Sequence, residues 1–392
     1  MSNIPKLRFP EFKGEWEEKR IDSIFDEKKE KNHPSEEVLT IIQGTGTVPR
    51  KESGRNIIFD EKSLSNYKFV QKDDFIIHLR SFEGGLEIAN SNGIVSPAYI
   101  IMHPKLSIAS KFYYSYFRSY KFINHVLPVS VEGVRDGRQI KYPILKEEKI
   151  PFTSFGEQQK IAEFLSNVDS IITAETKILK TLQKKKKALM QKLFTQQLRF
   201  KSDDGTDFPE WEEKKLGDVC SYIGGGTPSK KVKEYWNGNI NWASVKDITG
   251  KYLYETQDKI SQLGADSSAT NICEPDSLLL ITRMSPGKTV ITKCITAINQ
   301  DLKIVKSDIN VEFLHLLFQS IQTKIDEKTS GTTVKGISIE GLNQIDIRLP
   351  CKVEQQKIAD CLSSLDSLIQ TQQKVVTTWQ QRKKALLQQM FI

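Results

Sequence analysis

The chain is written twice, and a repeat of this kind dictates architecture before any local motif can. EQQKIAEFLSNVDSII, Glu157 to Ile172, returns as EQQKIADCLSSLDSLI, Glu354 to Ile369. KKALMQKLF, Lys186 to Phe194, returns as KKALLQQMF, Lys383 to Phe391, at the same offset and without a gap. A second matching pair leads into the intervening stretches: WEEKRIDSI at Trp16 to Ile24 and WEEKKLGDV at Trp211 to Val219, each with Phe-Pro-Glu just upstream. The order is therefore leading segment, divergent segment, long helix, and then the same again. At 392 residues the chain suits two or three domains, each able to bury a core.

Spacing makes the repeated blocks helices. Leu165, Val168, Ile172, Glu175, Leu179, Leu182, Lys186, Leu189 and Leu193 step by three or four, as do Leu362, Leu365, Ile369, Gln372, Val376, Trp379, Lys383, Leu386 and Met390. The polar interruptions coincide, Glu175 with Gln372 and Lys186 with Lys383, and polar residues in an apolar seam fix register and partner. A core helix of an ordinary bundle is the blander reading. The narrow seam favours an intramolecular, antiparallel coiled coil, about 38 residues long and so a rod of roughly 57 Å. The run Lys184 to Lys187 reads as a solvated helix face, or as an end of the rod turned toward phosphate or an acidic partner.

The divergent segments, about 28–150 and 223–349, carry short β-rich runs at Asp74 to Leu79, Tyr99 to Met102, Leu278 to Ile281 and Leu302 to Val305. Helical patches stand at Lys111 to Val126 and Val311 to Lys324. Each segment reads as an α+β globule, and weak matches such as Arg80-Ser81 with Arg283-Met284-Ser285, or Gly137 with Gly336, suggest one fold carrying two sequences.

Hydrophobic residues at 38% and charged residues at 27% describe a folding, globular chain. No signal peptide or membrane span is expected, and a cytoplasmic protein is. Cys220, Cys273, Cys294, Cys351 and Cys361 are expected to be buried thiols. Net charge of +8 biases the surface toward polyanions.

Searches for catalytic chemistry come up short. Ser96-Pro97-Ala98-Tyr99 imitates an adenine-methyltransferase motif with alanine for the second proline, and reads as a turn entering a strand. Gly287-Lys288-Thr289 imitates the end of a phosphate loop, but Thr282 stands where a glycine is required. Gly224-Gly225-Gly226-Thr227-Pro228 reads as a flexible bend. His33, His78, His103, His125 and His315 show no ligand spacing, so no catalytic metal is expected.

The helices opening with EQQKIA and closing with KKAL, together with GGGTPSKKVKEYWNGNINWASVKDI at Gly224 to Ile248, resemble the specificity subunit family of type I restriction-modification systems. The resemblance covers essentially the whole chain. It implies an α+β architecture of two target-recognition domains separated by two long antiparallel coiled-coil helices, with a pseudo-twofold internal repeat. The expected boundaries are 1–150 for the first recognition domain, 151–197 for the first helix, 198–349 for the second domain and 350–392 for the second helix. Implied partners are double-stranded DNA, two modification (methyltransferase) subunits docked on the helices, and restriction subunits acting as ATP-dependent translocase and nuclease. No cofactor is expected on this chain, S-adenosylmethionine belonging to the methyltransferase subunits. The glycine-rich loop has no equivalent in the first half, where Glu27 to Asn32 stands, so the loop is particular to the second copy.

Reading bases needs Arg or Lys for guanine and Asn or Gln for adenine, and phosphate contacts need cations near turns. Candidates in the first half are Arg50, Lys51, Arg55, Arg80, Arg118, Lys121, Arg135, Arg138 and Gln139. In the second they are Lys230, Lys231, Lys233, Lys246, Arg283, Lys288, Asn299, Gln300 and Lys335. A recognition enzyme with its own methyltransferase or nuclease site, and a coiled-coil adaptor that binds only proteins, are the competing readings. Methyl transfer by the chain alone would favour the former, and salt-independent binding the latter.

Overall fold

A computed structural model describes residues 3–54, 61–133, 138–331 and 334–391. The chain divides into two compact units, residues 1–178 with 372–392, and residues 179–371. The second helical block thus lends its end to the first unit and the first block lends its end to the second, a division that the order of segments along the chain does not reveal.

Two long helices dominate, Phe155–Phe194 and Lys352–Met390. The expected seam is the side they bury: Leu165, Val168, Leu179, Leu193, Leu362, Val376 and Met390 are buried, and the remaining seam positions are half-buried. In the first unit, partners fall from Lys383 to Gln372 on one helix as they rise from Asp169 to Glu175 on the other, so the two run antiparallel. Lys383 meets Asp169 at 2.5 Å there, and in the second unit Lys186 meets Asp366 at 2.5 Å. These ion pairs are counterparts under the internal repeat.

The leading segments explain their own repetition. Glu17–Arg20 pairs antiparallel with Lys149–Phe152, the strand just before the first long helix, and Glu212–Lys215 pairs in the same register with Asp346–Leu349. Leading strand and exit strand thereby close each globule at the root of its helix. Trp16 packs edge-on against Phe391, whose ring also meets Phe112 and Tyr116. In the second unit the equivalent Phe194 packs on Trp211 and Phe313. Such aromatic pairs add about 0.5–1.5 kcal/mol each beyond area burial.

The repeated EQQK is a clasp at the helix start. Glu157 is 1% exposed and accepts two hydrogen bonds from the Arg8 guanidinium, at 2.7 and 2.9 Å. Glu354, fully buried, accepts the same fork from Arg199 at 3.2 and 2.9 Å, and the Trp211 indole N–H at 3.1 Å. Burial acts to raise the Glu157 carboxyl, but hydrogen bonds from Arg8 and Thr153 hold it below the usual carboxylate range. Gln158 accepts from the Ala109 amide and Gln355 from the Asn310 amide, tying each long helix to the short one in its own globule. Lys160 pairs with Glu11, and Lys357 with Asp203.

Each globule is α+β. In the first, a four-stranded sheet has the order Phe25–Lys28, Ile100–Pro104, Phe75–Ile77, Glu87–Ile88. The second repeats that order with Ser221–Gly224, Leu302–Lys306, Leu278–Ile281 and Thr289–Thr292, and adds Tyr252–Leu253 at the edge. The expected strands are therefore present, and in equivalent places. Helices Ser110–Phe117 and Val311–Ser320 bury Phe112, Tyr113, Tyr116 and Phe117, and Phe313, Leu316, Leu317 and Phe318, in the respective cores. A further sheet in the second unit, Asp258–Ile260, Trp236–Ala243, Thr296–Ile298 and Asn271–Cys273, has no four-stranded match among the described residues of the first.

The glycine-rich loop corrects one expectation. It is packed rather than flexible: a Cβ on Gly225 would stand 2.3 Å from the Ile298 carbonyl oxygen, and one on Gly226 2.6 Å from the Ala269 carbonyl carbon. The glycines let the loop lie against the strand end, where Gly226 N–H donates to Ile298 and Trp242 donates to the Gly226 carbonyl. Ser96 to Tyr99 is a turn entering strand Ile100–Pro104, closed by the Tyr99 amide on the Ser96 carbonyl. All five cysteines are free thiols, Cys220 and Cys273 buried and the other three half-buried.

Candidate nucleic-acid interface

In the first unit, strand Phe75–Ile77 runs into a tight turn, His78 to Ser81, closed by the Ser81 amide on the His78 carbonyl. The buried Ser81 hydroxyl accepts from the His78 amide at 2.8 Å, so the backbone is fixed while Leu79 and Arg80 face solvent. Arg138 reaches back over the Phe82 ring, 4.4 Å from its centroid, bringing exposed Gln139 beside the same short helix, Ser81–Gly84. Lys121, also exposed, precedes the π-helical turn Phe122–Val126, which packs on that helix too. A fifth polar group joins them from the hairpin Leu39–Ile42/Gly46–Pro49: exposed Gln43 lies against Gly84.

Arg118 has another job. Its guanidinium donates to the Gly44 carbonyl at 3.3 Å and to the Tyr114 hydroxyl at 3.1 Å. Buried Glu87 takes the Tyr114 O–H and the amides of Gly44 and Gly46. Arg118 therefore supports the turn that presents Gln43. Arg50 and Lys51 sit at the opposite end of the same hairpin, Lys51 paired with Glu37 at 3.3 Å and Arg50 over the Tyr67 ring. The structure does not bring them to Arg80. Arg55 and Arg135 lie outside the described residues.

In the second unit the equivalent strand, Leu278–Ile281, runs into a turn carrying Arg283 and Met284. The Met284 amide donates to the Lys335 carbonyl at 2.8 Å, and Arg283 and Gly336 form a β-bridge, so Lys335 is locked beside the turn. Arg283 pairs with Asp301 at 3.3 Å. Next to Asp301, exposed Gln300 accepts from Thr227 of the glycine-rich loop, at 2.5 Å. Arg283, Met284, Lys335, Gln300 and Thr227 thus form one linked outward-facing group.

Asn299 is not part of that surface. It is 6% exposed, with its amide bonded to Asp301, and it shapes the turn from within. Lys288 lines a separate cavity of about 410 Å³ with Lys186, Lys251, Thr289, His315 and Gln319. Lys230, Lys231 and Lys233 are exposed along the loop that leads to Trp236, and Lys246 is exposed on the turn Val245–Asp247. Among the described residues, no group of three His, Cys, Asp or Glu side chains could hold a metal, and no helix is long and apolar enough to cross a membrane. Sequence reasoning missed Gln43, Leu79 and Met284. The Gln-Gly-Thr-Gly turn between two β-rich runs was a usable signal for the first.

Two copies of one α+β fold, each turning a different set of cationic and amide side chains outward, define a two-headed recognition protein. The chain belongs to the family described as the type I restriction modification DNA specificity domain, whose model matches residues 13–184 and 209–378. The putative type I restriction enzyme MjaX specificity subunit of Methanocaldococcus jannaschii is 24% identical over 414 residues, covering 98% of this chain and 95% of the relative. The MjaIX specificity subunit of the same organism is 31% identical over 189 residues, 46% of this chain; that match spans 44% of the relative's length. The crystal structure of a type I restriction-modification S subunit from M. genitalium superposes with a TM-score of 0.59 at 18% identity, covering 99% of each chain. The two target-recognition domains and the long helices expected from the sequence are therefore those of this family, and the role of the chain is DNA specificity.

Proposed function

We propose that the chain reads an asymmetric, bipartite target in double-stranded DNA, one half-site per unit, and has no catalytic activity of its own. The observation that carries this reading is the pair of equivalent turns, His78 to Ser81 and Thr282 to Ser285, which share a fold position but are surrounded by different polar groups. One frame used twice implies two half-sites, and different surrounding groups imply different bases. In this reading the long helices set the distance between half-sites and dock two modification (methyltransferase) subunits. Restriction subunits, the ATP-dependent translocase and nuclease, join through that assembly in the cytoplasm. S-adenosylmethionine binds the methyltransferase subunits and no cofactor binds this chain.

Methylome sequencing of cells with and without the chain tests the proposal. The expected result is one bipartite motif, its halves unlike each other, that disappears with the chain. A continuous or palindromic motif would count against it, and methyl transfer by the purified chain without partners would overturn its non-catalytic part. A binding titration across salt concentrations should show affinity falling steeply, as release of counterions from phosphate requires.

A further inference from the structure

The two recognition turns carry the same pair of side-chain chemistries in opposite order. Leu79 precedes Arg80, and Arg283 precedes Met284. Leu79 is 63% exposed and Met284 62% exposed. A single exposed apolar side chain needs no explanation. Here, however, one occurs in each globule, just past the equivalent strand of the equivalent sheet, next to an exposed arginine.

The backbone beneath them is fixed before any ligand arrives. Ser81 holds the first turn through its hydroxyl and its amide. In the second, Met284 has a φ of 73°, the left-handed region that costs a non-glycine residue energy, and the Lys335 carbonyl and the Arg283–Gly336 bridge hold it there. A strained, braced backbone that points methionine into water serves contact with something else.

On the reading proposed above, that partner is DNA. In the major groove the apolar feature on a base edge is the C5 methyl group of thymine, and the adjacent arginine suits guanine or a flanking phosphate. We propose that Leu79 and Met284 are specificity-determining residues, each packing against the 5-methyl group of a thymine, one in each half-site. This rests on the DNA-reading function of the same two turns.

The test replaces thymines one at a time by uracil in the duplex that methylome sequencing defines, and measures binding of the full chain and of its Leu79→Ala and Met284→Ala variants. Both side chains are exposed, so both variants should fold. With the unaltered chain, one uracil in each half-site should weaken binding roughly fourfold, the worth of one buried methyl group. Leu79→Ala should abolish that penalty in one half-site only, and Met284→Ala in the other only. Penalties that persist unchanged in the variants, uracil tolerated at every position, or a half-site without thymine would each overturn the inference. So would loss of 2-aminopurine fluorescence enhancement in the variants without uracil sensitivity, which would make these side chains wedges between base steps. If the unaltered chain fails to distinguish its target from a scrambled duplex, the failure lies with the DNA-reading function and is recognisable as such.

Discussion

Gln372 donates its side-chain amide to both the backbone carbonyl and the carboxylate of Glu175, and the two residues, 197 positions apart, are each other's counterparts in the internal repeat. In an antiparallel pair of equivalent helices, a residue that meets its own counterpart marks the local twofold axis. Identical acids at that place would confront each other. The chain avoids this by carrying the acid in one copy and the amide in the other, the kind of polar seam contact that sets register.

Gln372→Glu should therefore place two carboxylates face to face and lower stability at neutral pH by about 0.5–1 kcal/mol, with recovery on acidification as one of them protonates. Glu175→Gln leaves two amides and should cost less. The double exchange, Glu175→Gln with Gln372→Glu, restores one acid and one amide and should return close to the starting stability. Urea denaturation of the four proteins decides it, and a double exchange no more stable than Gln372→Glu alone would show that the site lacks twofold equivalence.

Removing Arg8 or Arg199 should be far more damaging. Each alanine variant strands a buried carboxylate, Glu157 or Glu354, and loss of one partner of a buried pair typically costs about 3–5 kcal/mol. The Glu157 carboxyl is held below its ordinary range in the folded chain, so its contribution is present at neutral pH and lost as pH falls through that range toward the lower folded value. Arg8→Ala should lose that dependence, since without the guanidinium burial dominates. Unfolding followed at pH 7 and pH 4 would show it, and an Arg8→Ala protein within 1 kcal/mol of the parent at neutral pH would argue that the clasp is incidental.

His315 predicts a second pH dependence, in the other unit. The ring is buried between the Thr289 hydroxyl at 2.8 Å and the Gln319 amide at 2.7 Å. Burial, helped by the nearby Lys251 and Lys186 and partly opposed by Glu312 and Asp366, pushes its pKa down to about 4. The unfolded chain then binds more protons than the folded one between pH 6.5 and 4. Stability is full above the higher value and declines as pH falls through that window, by about 3 kcal/mol at most. His315→Gln should flatten the decline, whatever its effect at pH 7.5. An unchanged slope between pH 7 and 4.5 would assign the acid sensitivity to other groups.

These contrasts show what the sequence could reveal. The long helices were legible because burial along one face imposes a period, and Leu165 through Met390 occupy the buried positions that period demands. The leading segments were legible as a repeat because Trp16 and Trp211 recur, but not as strands, since Glu17–Arg20 and Glu212–Lys215 are charged and acquire strand form only by pairing with the exit strands. Arg8 and Arg199 escaped notice although Leu-Arg-Phe precedes each globule, because extra residues between Phe200 and Phe208 put the second copy out of register. The loop residues were harder. Gln43, Leu79 and Met284 obey no period, and their exposure is a tertiary fact. Asn299 and Arg118 had suitable chemistry for DNA but are engaged within the protein, which composition and turn signals could not reveal.

Paired substitutions on the two turns separate the half-sites. Arg80→Ala with Arg138→Ala should relax or weaken reading of one half-site and leave the other as it was; Arg283→Ala with Lys335→Ala should do the converse. The type of contact is also readable. An arginine bidentate to guanine carries about 1–3 kcal/mol of discrimination at one base pair, so its loss should relax that position and leave the salt dependence nearly unchanged. A phosphate contact carries no sequence information, and its loss should weaken binding to all sequences alike while reducing the slope of log affinity against log salt by about one per residue. Selection from a library randomised in both half-sites, repeated at two salt concentrations, distinguishes these cases. Equal degradation of both half-sites by either pair would refute the assignment of one unit to each, because the groups around Arg80 and those around Arg283 belong to separate compact units.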